Sequence, residues 1–122
     1  MSTTPTYTHE QIERAITEGF DMAADHAGIS AQNSDFTAAL TTFWAYLAVI
    51  DATAYTRHQV SAALNRATDD AAEPGCADDI DNFAVNAALT LLETPHATFD
   101  DVATECYGED PDVIAGWLRN AT

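Results

Sequence analysis

The chain has no lysine and only four arginines. So few cations cannot displace the counterions of a phosphate backbone or hold an anionic bilayer, which excludes unaided binding to nucleic acid or acidic lipid. The chain also has no Gly-rich phosphate loop, no nucleophile elbow, and no H-E-x-x-H or C-x-x-C pair. Without them there is no recognisable constellation for phosphoryl transfer, acyl transfer or zinc chemistry. The expectation is a protein that is not an enzyme and that takes no cofactor and no metal. The longest stretch without charge is shorter than the ~20 residues that cross a bilayer. Residues 1–8 have neither the positive start nor the apolar run of an export signal. A cytoplasmic location is therefore expected, with Cys76 and Cys106 as free thiols. A bridge between the two is the alternative.

Acid is what the chain has in excess. Thirteen Asp and seven Glu give a net charge of −16. Such a surplus favours a basic partner, or a medium in which acidic surface is useful in itself, because like charge on this scale opposes the compact state. The excess is uneven. Residues 78–122 contain ten acids against Arg119 alone.

The chain is organised around residues 36–50, FTAALTTFWAYLAVI. On a period of 3.6, Phe36, Leu40, Phe43, Trp44, Leu47 and Ile50 form one bulky stripe. The back is small: Ala38, Thr41, Thr42, Ala45 and Val49. A back of that kind admits a second helix closely, so this helix is expected mid-domain with neighbours on both sides.

The other helices have readable ends. Thr8 and Gln11 form a capping box, Tyr7 and Ile12 stand at the staple positions, and Gly28 is the stop. The inner face of this helix holds Ile12, Ala15, Ile16, Phe20, Ala23 and Ala27, and Ser34 caps the next. The first start, YTHEQIERAI, reappears as YTRHQVSAAL from Tyr55. One match without a sustained repeat is better read as a shared capping solution than as a duplication. The third helix runs to about Ala71 and breaks at Glu73-Pro74-Gly75. A second apolar helix spans 80–92, with Ile80, Phe83, Ala87 and Leu91 on one face and Val85, Leu89 and Leu92 on the other. Its wet edge is Asn82, Asn86 and Glu93. Thr98 and Gly108 bound a short helix, and Asp110-Pro111 opens the last, which closes the core with Val113, Ile114, Trp117 and Leu118. No strand pattern competes. The expected fold is all-α: one domain over residues 1–122, a bundle of about six helices with 36–50 and 80–92 central, and a disordered tail at 1–6.

Among single residues, Asp51 falls in line with Leu40, Trp44 and Leu47, where a carboxyl could act as a general acid. Its place at the helix end points instead to solvent or Arg57. His9, His26, His58 and His96 are scattered, and His26 reads as a packed side chain near a helix C-terminus, where the dipole favours it. The last two helices have loosely the spacing of a helix-turn-helix. The would-be reading helix, however, begins Glu109-Asp110-Pro111-Asp112, which would face phosphate.

Acids at helix starts are partly routine, because each is stabilised by the dipole by about 0.3–1 kcal/mol. The dipole does not explain why no cations balance them. Carboxylates three and four residues apart lie about 5–6 Å from one another on a helix, a spacing that approximates successive phosphates. The first functional expectation is an acidic inhibitor, a DNA mimic of the immunity, anti-restriction or anti-CRISPR kind, that blocks a basic nucleic-acid-handling protein. Its contact residues would be Asp78, Asp79, Asp81, Asp100, Asp101, Glu105, Glu109, Asp110 and Asp112. The alternative is a helical interaction module whose acidity is a salt adaptation, consistent with zero Lys and an excess of Asp over Glu. Self-association is compatible with either.

Overall fold

Four helix starts are held by a side chain that reaches back to the backbone, Thr8, Thr56, Thr98 and Asp110, in the computed structural model, which describes residues 5–30, 34–50, 52–71 and 79–120. Helix α1 is His9–Ala27. At its start the Thr8 N–H donates to Gln11 Oε1 at 2.8 Å, and the Gln11 N–H donates to Thr8 Oγ1 at 3.3 Å. It ends at Gly28, whose φ of 75° is the left-handed cap that glycine adopts without strain. Helices α2 (Ser34–Ile50), α3 (Arg57–Ala71), α4 (Asp79–Glu93), α5 (Phe99–Tyr107) and α6 (Pro111–Asn120) follow. The fold is the expected all-α bundle of six helices. Among the described residues, none of these helices is long and apolar enough to cross a membrane.

Two short strands were not expected. β1 (Thr6–Tyr7) pairs antiparallel with β2 (Tyr55–Thr56), with Tyr7 opposite Tyr55 and Thr6 opposite Thr56. Two-residue strands leave no alternating pattern to read. The expected tail at 1–6 therefore ends in a paired strand at Thr6, while residues 1–4 lie outside the described residues.

These paired strands are the two Tyr-Thr helix starts. The second makes the same box as the first: the Thr56 N–H donates to Gln59 Oε1 at 2.9 Å, and the Gln59 N–H to Thr56 Oγ1 at 3.1 Å. The likeness continues along the buried faces. Ile12 and Val60, Ala15 and Ala63, Ile16 and Leu64, Gly19 and Ala67, and Phe20 and Thr68 are all buried, at one constant separation. Thr68 satisfies its hydroxyl by donating to the Leu64 carbonyl at 3.0 Å. The packing is reciprocal as well, since α1 lies mainly on α4 and α3 mainly on α2. A common capping solution accounts for the starts, whereas the matching faces and crossed packing extend the resemblance to both halves.

The centre is the α1–α4 contact. α1 buries the predicted face, Ile12, Ala15, Ile16, Phe20, Ala23 and Ala27, together with Gly19 and Ala24. α4 buries Phe83, Ala87 and Leu91 of one predicted face and Val85, Leu89 and Leu92 of the other, while the side chain of Ile80 lies outside the described residues. This helix is held so close to α1 that a Cβ at Gly19 would lie 2.6 Å from the Ala88 nitrogen.

α2 departs from expectation. Its stripe enters the core through Phe36, Phe43 and Leu47, joined by Ala39, with Leu40 and Trp44 half-buried and Ile50 exposed. Among the described residues, no second neighbour covers its small back: Ala38, Thr41, Ala45 and Val49 are exposed, Val49 at 83%. The sequence specifies a back that a helix can approach, but the chain's remaining helices are occupied on α1 and α4. Ser34 is the first helical residue rather than the residue before the helix, a difference of one position at a boundary. In α6, Ile114 and Leu118 are buried and Trp117 is partly so, but Val113 points outward and is 55% exposed. Asp51, Cys76 and the Glu73-Pro74-Gly75 break lie outside the described residues.

Candidate functional site

The acidic segment is built on α5, the turn after it, and α6. Thr98 caps α5 in a second type of box, in which the Thr98 N–H donates to Asp101 Oδ2 at 3.0 Å and the Asp101 N–H to Thr98 Oγ1 at 3.3 Å. Gly108, with a φ of 64°, turns the chain out of α5. Asp110 then accepts the Asp112 N–H at 2.9 Å, and Pro111 fills the first helical position. Asp100, Asp101, Glu105, Glu109, Asp110 and Asp112 are all exposed. Two of the six, Asp101 and Asp110, spend a carboxylate oxygen on the backbone and hold the turns in shape. Asp101 and Glu105, four residues apart, share one face of α5.

A polar triad joins this segment to the start of α4. Asn86 Nδ2 donates to Asn82 Oδ1 at 2.8 Å and to Tyr107 Oη at 2.9 Å, and Tyr107 Oη donates to Asn82 Oδ1 at 3.2 Å. Tyr107 also meets Trp117 edge-on, with ring centroids 5.6 Å apart. The last residue of α5 is thereby tied both to the first turns of α4 and to α6. Asp79 and Asp81 belong to the first turn of α4. Their side chains, and Asp78 altogether, lie outside the described residues. The six described acids are divided between the two ends of α5. Glu109, Asp110 and Asp112 follow its C-terminal end, whereas Asp100 and Asp101 sit in its first turn, about 10 Å away along its axis. Glu105 lies between.

In the sequence Asn82 and Asn86 read only as a wet edge, and Tyr107 is the residue before the Gly108 stop. The spacing of Asn82 and Asn86 was the available signal, because amides four residues apart face the same way. Their partner Tyr107 is distant in sequence and could not be read.

The histidines do other work. His26 Nδ1–H donates to the Met22 carbonyl at 2.9 Å, and its ring lies flat on Phe99 at 3.7 Å. It is a packed side chain in the last turn of α1. His9 stacks on Trp44 at 4.3 Å and lies 3.7 Å from Glu13. Arg57 Nε lies 2.8 Å from Glu93 Oε1. Among the described residues, no three His, Cys, Asp or Glu side chains converge on a metal-sized point. A shallow depression between α1 and the end of α4 is bordered by Gln11, Arg14, Glu18, Leu91 and Pro95. Its one guanidinium is already paired with its one carboxylate, Arg14 to Glu18 at 3.2 Å. Cys106 is exposed and free, its sulfur 3.3 Å from Thr90 Oγ1.

Comparison with known proteins adds no relative. No family model, no curated protein and no solved structure matches the chain.

Proposed function

We propose that this protein is an acidic inhibitor that binds a basic nucleic-acid-handling protein and covers its nucleic-acid site, as anti-restriction, anti-CRISPR and immunity proteins do. The observation that supports this reading is the run from Asp100 to Asp112, six exposed carboxylates with no cation among them. They are carried on two short helices whose turns are pinned by capping bonds. Fixed carboxylates match a basic groove without the entropy loss of ordering a flexible acidic tail. The contact surface is assigned to Asp78, Asp79 and Asp81 around the start of α4, to Asp100, Asp101 and Glu105 on α5, and to Glu109, Asp110 and Asp112 around the start of α6. The protein acts without catalysis, cofactor or metal, and in the cytoplasm.

A second reading has its own support. Glu10, Glu13, Asp21 and Asp25 line the exposed side of α1, remote in sequence from the acidic segment. Acid spread over several faces, with no Lys, suits a helical interaction module adapted to salt. Capture from the native host tests the two readings. An inhibitor retains a basic protein and displaces its DNA or RNA. A module in a uniformly acidic proteome retains a partner irrespective of charge and leaves nucleic acid bound.

A further inference from the structure

The repeated helix start continues into the second helix of each half. Ala38-Ala39-Leu40-Thr41 of α2 reappears as Ala87-Ala88-Leu89-Thr90 of α4, at a separation one residue longer than that from Tyr7 to Tyr55. Both threonines turn their hydroxyls inward in the same way. Thr41 Oγ1 donates to the Thr37 carbonyl and Thr90 Oγ1 to the Asn86 carbonyl, each at 2.9 Å. Phe36 and Val85, Ala39 and Ala88, and Phe43 and Leu92 are buried at that same separation. A contact between helices is repeated as well. His9, first in α1, stacks on Trp44 of α2 at 4.3 Å, and Arg57, first in α3, lies 2.8 Å from Glu93 of α4. His9 matches Arg57 at the separation of the two tyrosines, and Trp44 matches Glu93 at that of the two threonines.

We infer that β1-α1-α2 and β2-α3-α4 are two copies of one unit joined in a single chain, and that each presents a self-complementary surface whose partner is a second copy of that unit. The strand pair locates the axis. Tyr7 lies opposite Tyr55, its own equivalent, which is the arrangement found on a two-fold axis. The helices obey the same symmetry. α1 lies mainly on α4 and α3 mainly on α2, so a contact made from the first unit to the second is returned from the second to the first. Where Gly19 meets Ala88, the equivalent residues are Ala67 and Ala39, both buried. A shared capping solution explains the two starts but neither the second repeated segment nor the axis. Only the second copy is extended, by α5 and α6. There Asn86 and Thr90 meet Tyr107 and Cys106, whereas the equivalent Thr37 and Thr41 are exposed. A single unit leaves in water the face of α1 that packs on α4, so neither unit is stable as a lone monomer.

Cutting the whole chain tests the interface. A protease site is inserted between Ala52 and Thr53, exposed residues that lie between α2 and β2, and is cleaved in the folded protein. The fragments should stay together on size-exclusion chromatography with unchanged helical circular dichroism. Parted in urea and returned to buffer singly, neither should fold as a monomer, and mixing should restore the cooperative thermal transition. A first fragment that melts cooperatively as a monomer overturns the inference, as do fragments that separate on cutting. Transplanting a contact tests the equivalence itself. His9→Arg with Trp44→Glu gives the first copy the pair that Arg57 and Glu93 make in the second. In the uncut chain, the double variant should melt at a higher temperature than the two separate effects add up to. Strictly additive effects would mean that the paired positions are not equivalent, and the duplication would fall.

Discussion

Gly19 of α1 faces the backbone of Ala88 on α4 with no room for a side chain: a Cβ there would lie 2.6 Å from the Ala88 nitrogen and 2.8 Å from its Cα. The atoms it would meet are main chain, which no rotamer change can move. Gly19→Ala must therefore push apart the two helices that make the largest contact in the bundle. Overpacking of this kind costs about 1–3 kcal/mol, against up to about 1 kcal/mol gained from helix propensity. Gly116, in α6, has nothing within 4 Å of the same added atom. Urea denaturation should show Gly19→Ala less stable than wild type and Gly116→Ala more stable by about 0.5–1 kcal/mol. Equal and favourable effects at both positions would mean that α1 and α4 are not in close contact.

The two Tyr-Thr starts make unequal caps. The Thr8 box is exposed and the Thr56 box is half-buried. Replacing a threonine cap by alanine typically costs about 1 kcal/mol, and the loss is larger where water cannot replace the missing acceptor. Thr56→Ala should therefore destabilise the chain more than Thr8→Ala, and serine at either position should restore most of the loss. Thermal denaturation of the four variants decides this. A larger loss at Thr8 would contradict the assigned environments.

Local chemistry was the legible part of this chain. The caps at Thr8 and Thr98, the stops at Gly28 and Gly108, and the Asp110-Pro111 start are each set within a few residues, so the sequence alone placed them. The inner face of α1 was equally readable, because its period is set by the helix and not by its neighbour. What a face packs against is a property of the whole chain, and there the reading failed. The back of α2 and the outward turn of Val113 look apolar in sequence whether or not anything covers them. The same limit applies to the candidate site. Acid at each helix start was plain, and so was the division of the acids between the two ends of α5, but the bond from Tyr107 to Asn82 that ties α5 to α4 joins residues 25 apart, and no local pattern encodes it.

Stability should also report the charge. Raising the ionic strength from 0.01 M to the physiological range shortens the reach of repulsion from ~30 Å to ~8 Å. With few cations among twenty acids, the melting temperature should climb with sodium chloride over that range. A melting temperature that stays flat would mean the acids are compensated locally, and the surplus would lose its claim on a partner.

Within the acidic segment, the two ends should not be equivalent in binding. Asp110 and Asp112 stand at the start of α6, and Asp100 and Asp101 in the first turn of α5. Complementary charge chiefly accelerates encounter. Reversing Asp110 and Asp112 to Lys should slow association with the captured partner, and adding Asp100→Lys and Asp101→Lys should slow it further. The combined loss should reach several kcal/mol where the pairs are desolvated, and far less where they remain on the rim. Surface plasmon resonance at two salt concentrations measures this. Association rates unaffected by all four reversals would remove the segment from the interface.

The most direct test of the proposed function is competition. The protein partner captured from the native host is loaded with labelled DNA or RNA and titrated with the chain, and the release of label is followed by fluorescence anisotropy. The inhibitor reading predicts a basic partner that gives up its nucleic acid as this protein binds, with the quadruple Asp-to-Lys variant releasing little. A neutral or acidic partner, or one that carries this protein and its nucleic acid together without interference, would contradict it.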